Sequence, residues 1–187
     1  MNKLVFCLLI LSVASTTYAE VTERLDYIDY PATVDAQLPL NVTLNNASPI
    51  RENGNVFHGY TKWWVQWHFW WQKTANGECT MSRVKVDLSS TITLPKLAGT
   101  PSRVQQSEFD QYAAALKTHE LGHYNNGKQA ANAVEQAILH LPSMPSCEQL
   151  ESQANKTGLQ ILKEYNQKDR QYDAATSHGK TQGARLN

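Results

Sequence analysis

The sequence is short of cysteine, of net charge and of long apolar runs, and each shortage excludes something. Three cysteines occur in 187 residues, and no C-x-x-C pair is among them, which argues against a thiolate metal site. The 17 basic and 17 acidic residues cancel, so the charge balance gives no case for nucleic acid or an anionic membrane as partner. The longest apolar run, Leu4 to Val13, has about ten residues, whereas a membrane-spanning helix needs roughly 20. No internal repeat or low-complexity tract appears.

The N-terminus reads instead as an export signal. Lys3 supplies a positive start, the apolar run follows, and Thr17-Tyr18-Ala19 fits a signal-peptidase site with cleavage after Ala19. The residues before Cys7 lack the small side chains that precede a lipidated cysteine. Removing residues 1–19 leaves 187 − 19 = 168 residues, enough for one domain with a real core. Cys7 leaves with the leader, so Cys79 and Cys147 remain, and a single pair in an oxidising compartment forms one disulfide. The expectation is a secreted or periplasmic monomer with no stable membrane insertion after cleavage.

The mature chain, 20–187, divides into a strand-rich part (20–100), a helical part (101–178) and a loose polar tail (179–187). Arg24 to Tyr30 reads as a first strand ended by Pro31, and 33–50 is ambiguous. Thr61 to Gln72, "TKWWVQWHFWWQ", alternates with period two, and Asn76-Gly77 after it is a strong hairpin signal. Cys79 to Leu88 is the return strand, and Thr91 to Leu94 is a separate extended piece stopped by Pro95. All five tryptophans lie between 63 and 71. Trp63, Trp67 and Trp71 are expected to pack on the helices, leaving Trp64 and Trp70 to form a substrate wall.

In the second part Phe109, Tyr112, Leu116, His119, His123, Ala130, Val134, Ile138 and Leu141 share one helical face. This predicts a helix over about 104–141, with Gly127 a weak interior position. Ser146 caps a second helix ending near Tyr172, and the short Pro142–Pro145 connection makes the two helices antiparallel neighbours. The predicted fold is α+β, a small antiparallel sheet packed on a long helix hairpin.

"THELGH" carries the chemistry. On a helix His119 and His123, four apart, aim two imidazoles at one point, and Glu120 sits beside them without being a ligand. Such a pair binds one Zn2+ per chain, which lowers the pKa of a water towards 7, and the carboxylate takes its proton as the water attacks a carbonyl. The pattern lies on the core-facing stripe, where polar groups without partners would be costly. A third ligand is needed. Asn126 and Gln129 stand where a metzincin would have glycine and histidine, which excludes that class. Glu164, level with His123 on the next helix, and the tail residues Asp173 and His178 remain open.

HExxH on a long helix, Cys79 and Cys147, and the closing Tyr172-Asp173-x-x-Thr176-x-His178-Gly179 together resemble a bacterial family of predicted secreted zinc-dependent proteases. Gly59-Tyr60-Thr61 also fits that pattern. The resemblance implies a zincin-like metallopeptidase and favours His178 as third ligand, with Tyr172 as a donor to the developing oxyanion or a packing residue. The expected function is zinc-dependent amide hydrolysis with Glu120 as general base, acting on peptide, protein or peptidoglycan. Substrate would lie against the sheet edge and the Trp64/Trp70 face. The competing reading is an exported glycan- or peptide-binding protein with a structural or vestigial zinc site.

Overall fold

A computed structural model describes residues 18–186. The leader expected over 1–19 therefore lies outside the described residues as far as Met1 to Thr17. The described residues form five strands and three helices: β1 (Tyr18–Thr33), α1 (Leu40–Ala47), β2 (Ile50–Glu52), β3 (Asn55–Phe57), β4 (Tyr60–Lys73), β5 (Cys79–Ala98), α2 (Arg103–Leu139) and α3 (Cys147–Thr176). A short 3-10 turn, Lys180–Gln182, follows α3. The fold is α+β.

The main sheet has three strands in the order β1-β5-β4. β4 and β5 form the expected antiparallel hairpin, but β1 runs parallel to β5, from Tyr18 beside Arg83 to Thr33 beside Ala98. The sheet is thus mixed, not antiparallel. Neither proline stops its strand. Pro31 lies on the edge strand β1, where a missing N–H is tolerated. Pro95 lies beyond Thr93, the last β5 residue with a β4 partner, so it breaks no ladder on that side. Cys79 to Leu88 and Thr91 to Leu94 are consequently one strand. The ambiguous 33–50 segment holds α1. After it comes a small β2–β3 hairpin whose turn, Asn53-Gly54, has both φ angles positive (50° and 81°), as a two-residue hairpin turn requires.

Alternation along β4 decides what faces the helices. Trp63 lies on Gly127 of α2, where an added Cβ would come within 2.8 Å of its ring, and Trp67 lies on Gly158 of α3, at 2.7 Å. Gly127 is therefore the site at which a tryptophan meets the helix backbone. A register shift between Trp70 and Trp71 breaks the alternation, and Trp71, expected in the core, is exposed. Beneath Trp63 and Trp67, Val84, Val86 and Leu88 of β5 pack against Ala130, Val134 and Ile138 of α2 and Leu150 and Ala154 of α3.

α2 starts with a capping box in which Ser102 and Gln105 satisfy each other's backbone N–H. Ser146 caps α3 by accepting from Gln149 N. The Cys79–Cys147 disulfide fastens the start of β5 to the start of α3. α3 runs one turn past Tyr172, which places Asp173 on the helix, four residues after Asp169. The end of the chain is not loose: Ala184 is buried against Leu40, Leu44, Phe109 and Leu116. Among the described residues no helix is long and apolar enough to cross a membrane.

Replacing Gly127 or Gly158 with alanine should destabilise the protein by about 1–3 kcal/mol, because overpacking outweighs the helix-propensity gain of roughly 1 kcal/mol. Chemical denaturation of each variant checks this; a stabilised Gly127→Ala would show that Trp63 does not pack there.

Candidate metal centre

His119, Glu120 and His123 lie on the buried face of α2, all under a tenth exposed. The two imidazoles meet edge to face, with their Nε2 atoms 3.3 Å apart. Asp173 closes the triangle from α3, its Oδ1 3.1 Å from each Nε2. These are the three ligand-type groups that cluster together among the described residues. Four bonds of about 2.0–2.1 Å arranged tetrahedrally put ligand atoms roughly 3.3 Å apart, so these separations suit a small tetrahedral cation.

The outer ring nitrogens are held as well. His123 Nδ1 faces Asp169 Oδ1 at 3.1 Å, and Asp169 also receives Asn126 Nδ2 at 2.6 Å and Trp63 Nε1 at 2.7 Å. His119 Nδ1 lies 3.0 Å from Gln182 Oε1. With Nδ1 held outward, each Nε2 points at the common centre, where it donates to Asp173 when it carries a proton and would offer its lone pair to a cation. The charge balance agrees. Burial acts to lower the pKa of His123, but the carboxylates of Asp169 and Asp173 outweigh it and push it up to about 10. Burial would raise Asp173, yet hydrogen bonds from both imidazoles hold it well below the usual carboxylate range. The carboxylates demand positive charge here; a proton meets that demand, and a divalent cation would meet it equally.

Glu120 stands beside this triangle. Its Oε2 accepts from Thr61 Oγ1 at 2.7 Å, and that hydroxyl also lies 3.0 Å from the Glu120 carbonyl. A Cβ on Gly59 would sit 2.5 Å from Glu120 Oε1, so the start of β4 can approach the carboxylate only as glycine. Burial pushes the Glu120 pKa up, opposed by the Thr61 hydrogen bond and the two imidazoles. The two histidines, Glu120, Asp169, Asp173 and Thr61 open onto a cleft of ≈ 970 Å³. Tyr112 and Leu116 of α2, the β2–β3 hairpin, the C-terminal segment and Asn166 and Arg170 of α3 also line it.

The other expected site residues fall in different places. His178 is half exposed beside the cluster, with Nδ1 3.3 Å from Asp173 Oδ1, and its ring packs on Phe57. Glu164 pairs with Gln160 on the exposed side of α3. Tyr172 does not line the cleft. It stacks on the His119 ring at 5.1 Å and its hydroxyl reaches the His119 carbonyl at 3.2 Å. Gly122 exists for it, because any Cβ there would strike the tyrosine. In this position Tyr172 packs on His119 and braces it. Trp64 (54% exposed) and Trp70 (44%) stand on the sheet face away from the helices, with Lys62 and Arg83 over their rings. Neither lines the cleft, so they form no wall of it.

Sequence reasoning missed Asp169, Thr61 and Gln182. Asp169 and Asp173, four apart on a helix facing two histidines four apart, were a readable signal. Gln182 had none, lying in a segment with no periodicity.

Together these elements form an α+β scaffold carrying a candidate metal centre. The chain belongs to a bacterial family of proteins of unknown function (DUF922), whose model matches residues 28–179. No curated protein matches it, and no solved structure does.

One wall of the cleft is a neutral hydrogen-bonded chain. Burial lowers the His58 pKa; its Nε2 meets Asn45 Oδ1 at 2.9 Å, which leaves Nδ1 to accept from Tyr112 Oη at 2.6 Å. Tyr30 donates to the His58 carbonyl. Burial pushes Tyr30 up to about 12 and Tyr112 higher still. The unfolded chain loses these protons first, near pH 10, so this contribution to stability is full below that pH and is lost as pH rises through 12. A tyrosinate absorbance titration should therefore show a late class of tyrosines that shrinks in Tyr30→Phe/Tyr112→Phe to Tyr124, which burial and its hydrogen bond to Glu23 also push up to about 12; a single step near pH 10 would contradict the burial.

Proposed function

We propose that this protein is an exported, zincin-like metallohydrolase that cleaves amide bonds in peptides or peptidoglycan. The single observation that carries the reading is the triangle of His119 Nε2, His123 Nε2 and Asp173 Oδ1 beside a buried glutamate on the floor of a cleft. The order of contacts, Asp173 to His119 and Asp169 to His123, supports treating α2 and α3 as the antiparallel hairpin of such a site. Asp173 takes the third ligand position because it touches both imidazoles, whereas His178 pairs with Asp173 and packs on Phe57.

Zinc bound there supplies a Lewis acid and lowers the pKa of water towards 7. The rest is work for the chain's own groups. Glu120, with its basicity raised by burial and its orientation fixed by Thr61, accepts a proton at its carboxylate and returns it to the leaving amine nitrogen. Gly59 keeps β4 close enough for that hydrogen bond. Asp169, itself held by Asn126, holds His123, and Tyr172 stacks on His119, so the ligands do not turn as substrate enters. His178 and Arg170 stand at the cleft's rim as polar contacts for substrate. A purely structural zinc site is closed by protein ligands on all sides; an opening of ≈ 970 Å³ favours the catalytic reading over the structural one. The Cys79–Cys147 disulfide supports export, since such bonds persist in oxidising compartments.

Mass spectrometry of the dialysed protein under native conditions should find one zinc per chain. Asp173→Ala should lose most of it, and His178→Ala should keep it. Glu120→Gln should keep zinc and lose at least about 100-fold in turnover of any amide substrate found. Equal turnover in Glu120→Gln and the parent would sink the mechanism, and no zinc in the parent would sink the site.

A further inference from the structure

The C-terminal segment reaches back onto the metal centre in a way that the family match, ending at residue 179, does not cover. At the end of α3 three consecutive residues, Ser177, His178 and Gly179, have positive φ (50°, 52° and 81°). The left-handed region is unfavourable for a residue other than glycine, so contacts made by this corner and by the segment after it must hold it in place. Two contacts do so. Gly179 packs on His119, where a Cβ would lie 3.0 Å from the ring, and Ala184 is buried beside Leu116 and Phe109.

Between these anchors the 3-10 turn presents Gln182. Its Oε1 lies 3.0 Å from His119 Nδ1, and its Nε2 donates to Tyr172 Oη at 3.0 Å. Tyr172 Oη in turn donates to the His119 carbonyl at 3.2 Å. The three bonds form a closed circuit with one consistent direction: imidazole N–H to amide oxygen, amide N–H to phenol, phenol to the histidine's own carbonyl. Read in this direction, the circuit puts the His119 proton on Nδ1 and turns Nε2 to Asp173 and His123, and Tyr172 Oη lies within reach of Gln182 Oε1 as well, at 3.3 Å.

We propose that Gln182 is a positioning residue for the metal centre, fixing the tautomer and ring orientation of His119, and that the strap 177–184 exists to deliver it. The inference rests on the metallohydrolase reading for its purpose but not for its geometry. Gln182 is the counterpart for His119 of what Asp169 is for His123. The pairing is also chemically apt: one neutral and one anionic acceptor behind the two imidazoles keep the centre from gathering a second outer negative charge.

The test compares the parent with Gln182→Ala and Gln182→Glu. Zinc affinity, by competition with a chromogenic chelator, should weaken on the order of tenfold in Gln182→Ala, the low end for a removed outer hydrogen bond because the side chain is exposed. Gln182→Glu, which keeps an acceptor oxygen, should bind within a few-fold of the parent. Independently of zinc, the His119 Nδ1–H should give a proton resonance protected from exchange in the metal-free parent and in Gln182→Glu. It should be lost in Gln182→Ala. Unchanged affinity together with an unchanged, protected resonance in Gln182→Ala would overturn the assignment, as would failure of Gln182→Glu to restore either property. A parent that binds no zinc would overturn the metallohydrolase reading, and the resonance alone would then decide for or against Gln182.

Discussion

Two imidazoles and a carboxylate on the buried face of a long helix set the constraint that the rest of this structure answers. Groups of that kind inside a protein are costly unless every polar atom has a partner. On α2 each of these three side chains is met by partners from outside the helix, in β4, α3 and the C-terminal segment. β4 brings Thr61 to Glu120, α3 brings Asp169 and Asp173 to the histidines, and the C-terminal segment brings Gln182. Three glycines, at 59, 122 and 179, mark where these elements must come closer to the site than a side chain would allow.

The tryptophans serve the same arrangement from the other direction. Trp63 packs on Gly127 and donates to Asp169, so one side chain sets both the distance of the sheet from α2 and the orientation of the carboxylate behind His123. Trp67 does the equivalent on α3 with Gly158 and Asn155. The concentration of tryptophan in β4 is therefore explained in part by the joint between sheet and helices. Trp64 and Trp70, on the outer face, have no part in that joint.

How much of this was legible depends on the range of the interactions involved. The starts of the two long helices, the Ser146 cap, the Asn76-Gly77 hairpin and the pairing of Cys79 with Cys147 come from local chemistry or from simple counting. So does the placing of His119, Glu120 and His123 together. The parallel pairing of β1 with β5 was not legible, because strands 65 residues apart in sequence (Tyr18 beside Arg83) choose their direction by tertiary packing. Pro31 and Pro95 misled for the same reason: their tolerance depends on which edge of the ladder they occupy. The third ligand turned on one helical turn. With α3 ending at Tyr172, His178 would be free to swing in; with α3 continuing to Thr176, Asp173 is already in place.

Everything above turns on whether the triangle formed by His119, His123 and Asp173 is a zinc site. Diffraction from crystals of the zinc-loaded protein at energies on either side of the zinc absorption edge tests it most directly. One anomalous peak per chain is expected, about 2.0–2.2 Å from His119 Nε2, His123 Nε2 and an oxygen of Asp173. A peak elsewhere, or none at this position in fully loaded crystals, would contradict the assignment.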